Sequence, residues 1–107
     1  METNRRKFFR KHNLPPNESL SLPEIASLSN MPIQALRKVY IRGIGAYKTN
    51  PISVRMKETF KKNIDAPMSM KLSKEQWAFA RVYAFVMKTP KVFYGADKDI
   101  AEQYNIN

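Results

Sequence analysis

The stretch SKEQWAFARVYAFVMK, from Ser73 to Lys88, constrains the fold more than any other part of the chain. Ser73 and Gln76 stand at capping-box spacing, in which each side chain satisfies the other residue's backbone N–H. Trp77, Ala80, Ala84 and the residues beside them make the following helix apolar on nearly all sides. Such a helix has no solvent face and has to be central. Thr89-Pro90 ends it, because proline disfavours helical backbone in the residue before it. Short helices elsewhere then have to cover it, so the predicted fold is mainly α.

The chain of 107 residues suits one domain with one modest core. Six Phe, five Tyr and one Trp supply large apolar areas for that core. With 43% hydrophobic residues, the composition is not that of a disordered chain. There is no cysteine, which excludes disulfides and thiolate metal sites. No apolar run reaches the length of a membrane span, and none follows the basic N-terminus as in a signal peptide. The expected location is a virion or the host-cell interior, without secretion and without membrane contact.

The formal net charge is +10, and its distribution is uneven. Residues 1–62 hold 13 Lys and Arg against 4 Asp and Glu; residues 63–107 hold 6 against 5. The first part therefore carries +9 and faces a polyanion, while the second is close to neutral.

Residues 1–13 read as a basic N-terminal arm, and residues 14–107 as one helical domain. In the arm, Arg5, Arg6, Lys7, Arg10 and Lys11 surround Phe8 and Phe9. Two readings apply together: a phosphate-binding arm with aromatic anchors, or a short helix whose Phe side chains dock while its charges stay solvated. Pro15-Pro16 then interrupts any helix. Ser21 and Glu24 form a second capping-box spacing, which predicts a helix over Leu22 to Leu28.

After a Ser29-Asn30 turn, Asn30 is expected to cap a second helix with Pro32 in its first turn. Ile33, Leu36, Val39 and Tyr40 form one face of that helix. The pair has the layout of a helix-turn-helix, although the turn lacks the usual central Gly. Gln34, Arg37, Lys38 and Arg42 are the candidates for base and phosphate contact. Gly43 is the expected C-cap, with a Gly-containing basic loop from Gly43 to Pro51 and positive φ at Gly43 or Gly45. That loop adds Tyr47 as a stacking candidate and Lys48 and Arg55 as phosphate contacts on the same side as Arg37 and Lys38. Lys91 to Tyr94 reads as a short strand or extended segment, and Asp97 as the cap of a last helix, Lys98 to Tyr104.

Catalytic chemistry has little support. The single histidine, His12, lies in the arm, and no Walker-type or dinucleotide-binding Gly loop occurs. Asp97, Asp99 and Glu102 are the acids expected near a helix N-terminus, so no metal site and no cofactor are predicted.

RGIGAYKTNPISVR (Arg42 to Arg55), SKEQWAFARVYAFVM (Ser73 to Met87) and ADKDI (Ala96 to Ile100) together resemble a small family. Its members are encoded by large double-stranded DNA viruses of algae and protists, with relatives in some tailed phages. The resemblance spans roughly residues 20–101 and departs around Glu58 to Met70, where this chain is longer. It implies a viral origin and two roles. The first is a non-enzymatic protein bound to nucleic acid, double-stranded DNA in particular. The alternative is a minor capsid or internal virion protein docked on acidic capsid proteins or the packaged genome. Oligomeric state and base specificity are left open.

Overall fold

The computed structural model describes residues 3–49, with side chains as far as Tyr47, and residues 73–106. The described residues are mostly helical and contain no strand. Helices α1 (Asn4–Lys11), α2 (Leu22–Ser29) and α3 (Ile33–Thr49) precede the gap in description. Helix α4 (Lys74–Val86), a π-helical turn (Val92–Ala96) and α5 (Lys98–Gln103) follow it. No described helix is long and apolar enough to cross a membrane.

As its composition requires, α4 is central. Ala78, Val82, Tyr83, Ala84, Phe85 and Val86 are all buried. Its capping box is formed in both directions, with Gln76 N to Ser73 Oγ at 3.2 Å and Ser73 N to Gln76 Oε1 at 2.9 Å. The box at Ser21 and Glu24 opens α2 in the same way. Both were legible because a cap involves residues only three apart.

Helices α1, α2, α4 and α5 end alike. Asn13, Asn30, Lys88 and Asn105 take left-handed backbone, with φ of 55 to 57°. The next residue's N–H then reaches back five residues: Leu14 to Phe9, Met31 to Ala26, Thr89 to Ala84 and Ile106 to Ala101. This is the Schellman arrangement. At three of the ends the reversal delivers an apolar residue (Leu14, Met31 or Ile106) onto the core. Asn30 therefore terminates α2 instead of capping the next helix as expected. A short polar side chain tolerates left-handed backbone, and that use of asparagine prevails here.

The expected loop at Gly43 is instead helix. α3 runs through both Gly43 and Gly45 to Thr49, and no described glycine has positive φ. The reason lies in the partner helix. A Cβ on Gly43 would stand 2.8 Å from the Ala78 Cα of α4. Gly43 thus lets two helix backbones approach, the other use of a missing Cβ. The packing gained outweighs a helix-propensity penalty of about 1 kcal/mol per glycine. Tyr40 and Phe79 meet edge to face across this same pair, with centroids 5.2 Å apart.

The expected extended segment at Lys91–Tyr94 is also helical. Ala96 N donates to Lys91 O and Asp97 N to Val92 O, both spanning five residues. The widened turn buries Phe93 against Phe85, with centroids 5.1 Å apart, and leaves Tyr94 exposed. Alternation of two residues cannot distinguish a strand from a π-turn.

Candidate nucleic-acid interface

Thr3 opens α1, its hydroxyl accepting from Arg6 N at 3.2 Å. Phe8 and Phe9 are fully buried. Both rings meet Tyr83 of α4, at 5.6 and 6.1 Å. His12 meets Phe8 in a tilted ring contact, with centroids 4.4 Å apart. The docked-helix reading of residues 1–13 therefore holds for the two Phe side chains.

Arg5 belongs to this docking. Its guanidinium lies 4.2 Å over the Phe9 ring and donates to Pro16 O at 3.0 Å and Glu18 O at 2.6 Å. It ties the Pro-Pro segment to α1, satisfying two carbonyls that proline-interrupted backbone leaves open. Arg6, Lys7, Arg10 and Lys11 stand exposed on the other side of α1. Among the described residues Arg6, Lys7 and Lys11 have no carboxylate partner.

On α3, Gln34 and Arg37 are exposed, and Arg37 has no ion-pair partner among the described residues. Lys38 and Arg42, two more of the candidates, are turned to the C-terminal segment. Lys38 Nζ donates to Gln103 Oε1 at 2.9 Å and lies 5.3 Å over the Tyr104 ring. Arg42 Nη1 donates to Asp99 Oδ1 at 2.7 Å and to Asp97 Oδ1 at 3.2 Å. The bond from Arg42 lowers the Asp99 pKa to about 2 and raises that of the guanidinium. Tyr47 is half-buried and helical, in place of the expected loop position. The Lys48 side chain and all of Arg55, expected on the same side as Arg37 and Lys38, lie outside the described residues.

Asp97 stands at the N-cap of the last helix, as expected, but its side chain serves another purpose. It precedes α5 but makes no side-chain cap bond. Its side chain is 0% exposed. It accepts from Arg81 Nε and Nη2, both at 2.8 Å, and from Arg42 Nη1. Two cations on α3 and α4 thus converge on one buried carboxylate at the start of α5. The sequence signal was Arg81 itself. A charge beyond the first turn of an otherwise apolar central helix has to find a buried counter-charge.

No family model, no curated protein and no solved structure matches the chain. The viral resemblance therefore rests on the residues quoted for it.

Proposed function

We propose that the protein binds nucleic acid without catalysing a reaction, through the exposed row Arg6, Lys7, Arg10 and Lys11 of α1, with Gln34 and Arg37 of α3 as further contacts. One observation carries this reading: the first turn of α1 is built against the helix dipole, although Arg10 and Lys11 suit its last turn. The helix has no acidic residue in its first turn, where Arg5, Arg6 and Lys7 oppose the positive end of the helix dipole. Arg6 with Arg10 and Lys7 with Lys11 are like-charged neighbours one turn apart, each pair costing about 0.2–0.5 kcal/mol. A row of phosphates relieves both penalties at once. The two phenylalanines hold the row on a rigid base.

The candidates differ in what they offer a nucleic acid. Arg5, Lys38 and Arg42 are engaged within the fold, so the proposed contact is mainly electrostatic, with base reading limited to Gln34 and Arg37. The test is binding of a fluorescent 20-bp duplex across a salt series. Four cations (Arg6, Lys7, Lys11 and Arg37) on four phosphates give a slope of log K against log salt of about −3.6. Changing Arg6, Lys7 and Lys11 to Gln should flatten the slope by nearly three. Absence of binding at low salt refutes the reading. Binding to an acidic protein surface in its place returns the virion-component alternative.

A further inference from the structure

We propose that the solvent face of α3 reads A·T base pairs in the major groove of duplex DNA, with Ile41 packed on a thymine methyl group and Gln34 bonded to an adenine. This rests on the nucleic-acid reading above and adds to it a contact residue that carries no charge. Between Ile33 and Tyr47 the exposed positions of α3 are Gln34, Arg37, Lys38, Ile41, Arg42 and Gly45. Ile41 is 68% exposed. A single exposed isoleucine is ordinary; its neighbours on the face are what give this one a use.

At about 3.6 residues per turn, Gln34, Ile41 and Gly45 fall in one line, within about 40° of each other around the helix axis. Arg37 flanks that line on one side. Lys38 and Arg42 flank it on the other, where both also bond to α5. No acidic residue occurs from Ile33 to Thr49. The order across the face is therefore cation, uncharged centre, cation. The major groove presents the matching order, with base edges between two phosphate rows, and its width admits an α-helix. An amide pairs with adenine N6 and N7, and an apolar side chain packs on the thymine methyl. Gln34 and Ile41 lie about 10.5 Å apart along the axis, which is about three base-pair rises. Gly45 continues the line with no side chain, and a Cβ there would meet nothing within 4 Å. Packing inside the protein does not demand this glycine, in contrast to Gly43; it leaves bare backbone that a partner's surface can approach closely. A second copy of the chain fits the face less well, because Arg37 and Lys38 would meet like charges on a molecule of net charge +10.

The full-length protein is titrated with a fluorescent A·T-rich duplex and with the same duplex carrying deoxyuridine at every thymidine, which removes only the methyl groups. Wild type should bind the thymine duplex about fourfold more tightly, the worth of one buried methyl group. Ile41→Ser, at an exposed position and folded by circular dichroism, should bind both duplexes equally. Ile41→Val should keep the preference. The salt slope should be the same in all three proteins, because no charge changes. Equal binding of the two duplexes by wild type, or a preference that survives Ile41→Ser, overturns the proposal and leaves the phosphate contacts standing. Absence of binding at low salt overturns both readings. A wild-type dimer in sedimentation that Ile41→Ser abolishes gives the face to a second copy and likewise overturns the proposal.

Discussion

Replacing Asp97 with Ala tests whether the charge cluster, and not apolar packing alone, locks α5 onto α3 and α4. The carboxylate is fully buried and accepts three bonds from two guanidinium groups. Removing it leaves Arg81, whose side chain is only 19% exposed, without a counter-charge. Arg42 is 40% exposed and retains Asp99, so it loses less. Breaking a buried pair on one side costs about 3–5 kcal/mol. That is a large share of the roughly 5–15 kcal/mol expected for a domain of this size. With an unfolding entropy of about 2.1 cal/mol/K per residue, the melting temperature should fall by about 13–22 °C. The assay is thermal denaturation by circular dichroism at neutral pH. A companion variant sharpens it: adding Arg81→Met to Asp97→Ala should recover part of the loss, because the stranded cation is gone. A loss under about 1 kcal/mol in the single variant, or no recovery in the double, would show that the cluster is only a surface ion pair and refute the reasoning.

Gly43→Ala should destabilise by about 1–3 kcal/mol, since its Cβ would overlap the backbone of Ala78; Gly45→Ala, which meets open space, should stabilise by about 0.5–1 kcal/mol in the same urea titration. Lys88→Gly should raise stability by about 0.5–1 kcal/mol by relieving left-handed backbone at a residue with a Cβ, read from the same melts. The Asp99 carboxyl has its folded pKa lowered to about 2, so the stability it gives is present above an unfolded pKa near 3.8 and is lost as pH falls towards 2. The difference in melting temperature between wild type and Asp99→Asn should therefore shrink between pH 5 and pH 2.

What could be read from the chain beforehand followed how far apart the interacting residues lie. Ser21 with Glu24 and Ser73 with Gln76 act across one turn, and both helix starts were placed by them. The central position of α4 also followed, because an all-round apolar helix has one physical solution. Gly43 was misread because its purpose is Ala78, 35 residues away and on another helix. The N-cap position of Asp97 was legible, but the use of its side chain was not, because its partners are Arg81 and Arg42, 16 and 55 residues distant. The π-turn escaped because Lys91–Tyr94 carries no local mark separating a widened helix from a strand. Of the candidate interface, the exposed positions on α1 were legible, whereas the engagement of Arg5, Lys38 and Arg42 depends on groups brought near only by folding.

The consecutive pair Phe8 and Phe9 has a thermodynamic corollary for any polyanion that lands on α1. Neighbouring positions on a helix point about 100° apart, and both rings bear on Tyr83. The helix is therefore braced against rolling about its own axis, and its cations approach a partner as a comb with set teeth. α1 does not have to be ordered at the moment of contact, so association through it should show a heat-capacity change near zero, unlike the large negative value of an arm that folds on its target. The signature of a rigid comb is a strong dependence on salt with a binding enthalpy that does not change with temperature.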